Sequence, residues 1–293
     1  VRICFAGVNP IDAKTRAGLG WAAAQNKDNL PWTPGYDVSG VVEKVGPGVT
    51  SLAEGDQVCG MVGFPLAAGA YAESVVAREE ELVKLDGVSL RQGAALPLAG
   101  LTAWQGLLEH GGLQSGQRVL ILAGAGGVGH LAVQFAAAYG AHVVATASGD
   151  NHSFLHSLGA SRMVDYHQAG WCTEAITDGP FDLVLDLVGG ESGKAALACV
   201  KPGGRLVTVP TITAQQIKDA GAELGVEVVG MLVHPDRTQL TQMLTLLRQG
   251  EVKITVSGEY TLAEGALAHQ AIEQGHVRGK LLLRMSAADG QPG

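Results

Sequence analysis

The stretch Gly124-Ala125-Gly126-Gly127-Val128-Gly129 joins an apolar run, residues 119–123, to a helical pattern over residues 128–139. Glycines at these spacings let a backbone turn tightly and approach a phosphate closely. The amides that open a helix favour an anion at the same place. The chemistry this points to is the seating of a dinucleotide pyrophosphate. G-x-G-x-x-G alone is a weak signal in a chain with 42 glycines. The strand pattern before it and the helix pattern after it make it specific. The competing reading is a tight strand–helix turn that holds no ligand.

A second β-branched run, residues 143–147, ends at Ser148, 148 − 129 = 19 positions past Gly129. NAD-binding folds place a carboxylate about 20 residues past the loop, on the ribose hydroxyls. A carboxylate repels a 2′-phosphate, whereas a serine can donate to it, so NADP(H) is expected over NAD(H). Asp150, two residues on, is the counter-signal. Arg162 and Tyr166, around the next strand, are expected either to flank the adenosine end or to stand as surface residues.

These residues need a scaffold. Runs at 119–123, 143–147, 163–166, 181–187, 205–209 and 226–232 alternate with helical patterns, which predicts a parallel, doubly wound α/β sheet over residues 99–234. Ahead of it, residues 1–98 read as a β-rich unit. Strands are expected at 3–8, 37–45, 56–62 and 70–77, with a short helix from Pro10 to Arg16 capped by Asn9. Residues 20–34 read as loop and 90–110 as a helix interrupted near Pro97 and Gly100. Residues 235–293 hold a helix, 236–249, and a closing strand, 280–285. They are too few for a comfortable third domain and are expected to return to the first; 286–293 read as a frayed tail.

Composition excludes several classes. Apolar residues make up 46% and charged residues 16%, which rules out a disordered chain and a coiled coil. The net charge of −8 gives no basic footprint for nucleic acid. The charge-free stretch from Val119 to Gly149 is interrupted by six glycines and breaks into separate periods, so no membrane span is expected. Cys4, Cys59, Cys172 and Cys199 are far apart and contain no C-x-x-C pair, so neither a zinc ribbon nor a disulfide framework is expected. With no signal peptide visible, the expected location is the cytoplasm.

The segments GVNPIDAKTRAG (7–18), PGYDVSGVVEKVGPGV (34–49), LPLAGLTAWQGL (96–107), LILAGAGGVGHLAVQFA (120–136), DLVLDLVGG (182–190) and GHVRGKLLL (275–283) together resemble the zinc-independent quinone oxidoreductase and alkenal reductase branch of the medium-chain dehydrogenase/reductase superfamily. The resemblance spans almost the entire chain in matching order. It implies a GroES-like β-barrel catalytic domain and a Rossmann NADP-binding domain. The family carries further strand residues ahead of the position of Val1.

Zinc-dependent relatives place metal ligands where this chain has Asn9 and Tyr36, and their four-cysteine lobe has no counterpart here. No metal is therefore expected. The resemblance implies catalytic roles for Asn9, Tyr36 and Thr102; Lys14, one turn beyond Pro10 on the same helix and at a position where relatives vary, is a further candidate. Asn9 would stand beside the nicotinamide, Lys14 would steady an enolate or the cofactor phosphates or stand as a solvated lysine, and Tyr36 would donate a proton or fill the space that the metal-ligand histidine vacates. It implies cofactor contacts from Gly124, Ala125, Gly126, Gly127, Val128 and Gly129, and from Ser148, Tyr166, Leu187, Val209, Thr211 and Val233. Lys280 would pair with a cofactor phosphate or stand as a plain surface lysine. The expected activity is NADPH-dependent hydride transfer to a quinone or an α,β-unsaturated carbonyl, by a homodimer acting on a small molecule. An enoyl-thioester reductase and a non-catalytic NADPH-binding protein are the alternatives.

Overall fold

We describe residues 1–285 of a computed structural model. The expected tail at 286–293 lies outside the described residues. The chain divides into two units: Val1–Leu101 together with the chain from His234 onward, and Thr102–Val233.

The first unit is built on six strands: β1 (Arg2–Val8), β2 (Asp37–Val41), β3 (Gln57–Met61), β4 (Leu82–Lys84), β11 (Val256–Thr261) and β12 (Lys280–Arg284). They lie in the order β11-β12-β1-β2-β3-β4. All pairings are antiparallel except that of β11 with β12. Ile3, Ala6, Val8, Val38, Val58, Leu281 and Leu283 are among the buried residues of its core. Register decides what meets at the end of this sheet. Gly7 pairs with Asp37 and Val8 with Leu281, so Asn9, Asp37 and Lys280 converge although they are remote in sequence. Gly7 is required there: a Cβ would lie 2.5 Å from Ala94 O and 2.6 Å from Asp37 Oδ2.

The second unit holds β5 (Arg118–Ile121), β6 (His142–Ala147), β7 (Arg162–Asp165), β8 (Phe181–Asp186), β9 (Val200–Thr208) and β10 (Glu227–Gly230). The order is β10-β9-β8-β5-β6-β7, and every pairing is parallel. The chain winds outward through β6 and β7, then crosses back to β8 and winds the other way. The switch point therefore falls between β5 and β8, where open α/β sheets form their ligand crevice. The helix Gly129–Ala138 that follows β5 is buried over most of its length, as its apolar run requires.

Three expectations are corrected. Residues 20–34 are not all loop: Gly20–Asn26 is a helix, and its three consecutive alanines are strong helix formers. Residues 70–77 are not a strand. Ala70 and Tyr71 donate to Gly35 and Pro34, Val75 donates to Val1, and Glu73 accepts from Ile3, so no continuous ladder forms. The 37–45 strand stops at Val41.

Candidate functional site

At the carboxyl edge of the parallel sheet, the exit of β5 is tied to both neighbours. Leu122 N–H donates to Leu185 O (3.0 Å), and Gly124 N–H donates to Thr146 O (2.8 Å). Thr146 Oγ1 accepts from Ala123 N–H (3.1 Å), and Ala123 turns the chain at φ +52°. Gly126 N–H closes the turn on Ala123 O (3.0 Å), and His130 N–H returns to Gly126 O (3.0 Å), which starts the helix. The glycines do different work. A Cβ on Gly129 would lie 2.2 Å from Ala123 O, and one on Gly124 would lie 2.8 Å from the Ala145 Cβ, so the fold itself requires both. A Cβ on Gly126 would meet only Ala123 O, at an ordinary 3.4 Å. The fold does not need glycine at 126. Its bare backbone leaves open space at the helix mouth, which fits the close approach of a pyrophosphate.

Further along this edge, Ser148 Oγ accepts from Asn151 Nδ2 (2.9 Å). A carboxylate that the sequence reading missed reaches this place from the neighbouring strand. Asp165 pairs with Ala147 and has Oδ2 3.5 Å from where a Gly149 Cβ would be. The His167 N–H (2.9 Å) chiefly holds its carboxyl below the ordinary aspartate value. Tyr166 is exposed and stacks on His167, with ring centroids 4.1 Å apart. Arg162 opens β7, and its guanidinium is paired with Asp178 (3.0 Å).

Leu187 is half-buried just past β8, Val209 follows β9, Thr211 is exposed, and Val233 is buried at the end of the unit. Asp186, also missed, organises this side. Its Oδ1 accepts from Val188 and Gly189 N–H (2.9 and 2.8 Å) and its Oδ2 from Thr208 Oγ1 (2.8 Å). The aspartate that ends FDLVLD before two glycines was the available signal. Thr102 is buried on the helix Pro97–Trp104.

The first unit carries a buried polar network. Asn9 occupies the N-cap position of the helix Pro10–Arg16, but its side chain does not cap. Its Nδ2 donates to Asp37 Oδ2 (2.9 Å), and its Oδ1 accepts from Lys280 Nζ. The backbone cap comes instead from Asp12, whose Oδ2 accepts Asn9 N–H (2.8 Å) and whose Oδ1 accepts Gly35 N–H (3.2 Å). Lys280 is not the surface lysine of one expectation, nor is its ammonium open for the other. It is 3% exposed, donates to Val8 O (3.1 Å) and lies 3.7 Å from Asp37 Oδ2. A buried ammonium needs such partners. Tyr36 is buried and donates to Pro65 O (3.0 Å), with Phe64 edge-on at 5.0 Å. Burial, followed by the nearby Asp12 charge, pushes its hydroxyl above the ordinary tyrosine value. Lys14 stands exposed on the helix Pro10–Arg16.

Residues 1–87 match the family described as alcohol dehydrogenase GroES-like domain, and residues 158–283 match zinc-binding dehydrogenase. The quinone oxidoreductase of Coxiella burnetii superposes with a TM-score of 0.93 at 41% identity, over 97% of this chain and 89% of that one. The 2-methylene-furan-3-one reductase of Solanum lycopersicum is 37% identical over 97% of this chain and 70% of its own. The NADPH-dependent alkenal/one oxidoreductase of Arabidopsis thaliana is 34% identical over 97% and 71%. The chain belongs to the medium-chain dehydrogenase/reductase superfamily. It is an oxidoreductase of the branch that contains quinone oxidoreductases and alkenal reductases.

In this superfamily member no three His, Cys, Asp or Glu side chains among the described residues are grouped so as to hold a metal. Cys59 is buried, and burial followed by the Asp37 charge pushes its thiol pKa up. No helix among the described residues is long and apolar enough to cross a membrane.

The network makes stability depend on pH. Burial is the first cause that raises the Asp12 carboxyl to about 7, and Asp37 adds to it, while Asn9 N–H, Lys280 and Tyr71 oppose it. The folded state therefore binds this proton more tightly than the unfolded chain, whose aspartates titrate near 3.8. The resulting stabilisation is present at acid pH and is lost as pH rises through about 7. His269, 3.3 Å from Tyr71 Oη and 3.1 Å from Arg16 Nη1, acts in the opposite sense because burial, then Arg16, lowers its value. Urea denaturation of the wild type and Asp12→Asn between pH 5 and 8 separates the two. The wild type is expected to lose stability relative to the variant as pH rises; parallel curves would contradict this assignment.

Proposed function

We propose that the protein reduces quinones or α,β-unsaturated carbonyls by hydride transfer from NADPH without a catalytic metal. The observation that carries this reading is the open space at Gly126, at the mouth of a helix beside the β5–β8 switch point. When bound there, the nicotinamide cofactor supplies the hydride. The loop Gly124–Gly129 would hold the pyrophosphate, and Ser148 and Tyr166 would hold the adenosine end. Asp165, beside Gly149, limits the advantage of a 2′-phosphate, so NADH is used as well. Of the four candidate catalytic residues, Asn9, Tyr36 and Thr102 are buried, whereas Lys14 presents its ammonium to solvent. Lys14 is therefore the donor we assign to the acceptor oxygen. Hydrogen-bond donors suffice for acceptors that delocalise the incoming charge, as quinones and conjugated carbonyls do. We further assign the chain to a homodimer, supported by β10 lying at the end of its sheet.

A panel of quinones, enals and plain alcohols, run with NADPH and NADH with and without EDTA, tests the proposal. Turnover of quinones or enals, unchanged by chelator, is expected. Activity with plain alcohols that EDTA abolishes and zinc restores would overturn it. Cofactor choice has its own test. Ser148→Asp is expected to raise the KM for NADPH about tenfold, roughly 1.4 kcal/mol of like-charge repulsion, and to leave the NADH value little changed. Equal effects on both cofactors would remove Ser148 from the 2′-phosphate site.

A further inference from the structure

Two cysteines separated by 199 − 172 = 27 positions in sequence meet in the second unit. Cys172 lies on the short helix Trp171–Ala175, and Cys199 ends the turn Leu197–Cys199 that leads into β9. These two elements pack on one another, and Cys199 Sγ lies 3.8 Å from the Cys172 carbonyl oxygen. The Cys199 thiol is thus seated directly against the backbone of Cys172. Cys172 Sγ also donates to Ala195 O (3.4 Å). Their environments differ. Cys199 is completely buried in the apolar cluster with Leu197, Phe181 and Leu206, whereas Cys172 is partly exposed.

We propose that Cys172 and Cys199 form a peroxide-reactive thiol pair, with Cys172 as the attacking sulfur and Cys199 as the resolving one. Partial exposure lets a hydroperoxide reach Cys172, and a second thiol held against the same residue is what turns a sulfenic acid into a disulfide. The Cys199 contact lowers the Cys172 thiol pKa and so favours its thiolate. The Cys199 thiol is itself raised by that contact, then by burial, which keeps it protonated until it is needed. In the first step the Cys172 thiolate attacks a peroxide oxygen and the O–O bond breaks. Hydroxide or an alkoxide leaves and takes up the proton that the Cys172 thiol released on ionising, giving water or an alcohol, and the sulfur is oxidised to sulfenic acid. In the second, Cys199 sulfur attacks Cys172 sulfur. The S–S bond forms, the S–O bond breaks, and hydroxide leaves as water with the Cys199 proton. The bridge would clamp the two flanks of β8, whose far end carries Asp186 and the loop after it.

Cys4 and Cys59, both buried with thiols pushed up by burial, serve as internal controls. The test treats the reduced, full-length protein with stoichiometric hydrogen peroxide, then alkylates it and maps the peptides by mass spectrometry. A Cys172–Cys199 disulfide, reversed by dithiothreitol, is expected. In Cys199→Ala, dimedone should trap a sulfenic acid at Cys172; in Cys172→Ala, Cys199 should stay reduced. Before oxidation, iodoacetamide should modify Cys172 at least about tenfold faster than the other three. The wild-type map stands without the variants. Reduced Cys172 after treatment, Cys172 carried to sulfinic acid without pairing, or Cys199 oxidised equally well in Cys172→Ala would overturn the proposal.

Discussion

Gly126→Val is expected to fold as the wild type does and to bind NADPH at least about a hundredfold more weakly, a loss of roughly 2.7 kcal/mol. The contrast among the loop glycines makes this informative. At Gly129 a side chain would collide with Ala123 O at 2.2 Å, so a substitution there confuses folding with binding. At Gly126 the only neighbour of an added Cβ is at van der Waals distance, and the backbone is not in the left-handed region. The valine methyls then have one place to go, the space in which the pyrophosphate is proposed to lie. Thermal melting and cofactor titration on the same preparation separate the effects. A Tm close to that of the wild type with unchanged NADPH affinity would show that the mouth of this helix is not the phosphate seat.

Lys280→Met is expected to cost about 3–5 kcal/mol of stability, enough to unfold a marginal protein near physiological temperature. Methionine roughly keeps the length of the side chain but removes the one cation among the described residues that faces Asp37 and Asp12, both of which are completely buried. It also strips Asn9 Oδ1 of its donor. An unpaired buried carboxylate is more damaging than a missing pair, so Lys280→Met combined with Asp37→Asn should recover part of the loss. Urea denaturation of the wild type and the single and double variants measures this. A cost below about 1 kcal/mol for Lys280→Met, as for an exposed lysine, would contradict the network.

These two residues mark what the sequence made legible. Gly126 could be read because its chemistry is local: a β-branched run, a glycine turn and a helix lie consecutively, and the parallel sheet follows from the same alternation. Lys280 could not be read because its partners are 280 − 37 = 243 and 280 − 9 = 271 positions away, and only the register of β12 on β1 and β1 on β2 brings them together. Asp165 was hidden in the same way. It reaches the Ser148 corner from the adjacent strand, and counting residues along one strand finds only Ser148 and Asp150. The Cys172–Cys199 approach likewise depends on the packing of the helix Trp171–Ala175 on the turn Leu197–Cys199. The helix Gly20–Asn26 was obscured by the prolines that follow it, although its alanines favoured it.

In the reaction we propose, hydride passes from a dinucleotide seated on the Gly126 loop to a conjugated acceptor, with no metal taking part. The most direct test is turnover of an enal with [4,4-2H2]NADPH by chelator-treated protein, with deuterium in the product located by mass spectrometry and NMR. One deuterium at the β-carbon, at the rate that the untreated protein shows with the same cofactor, is the expected result. Product without deuterium, or turnover that returns only when zinc is added, would contradict the claim.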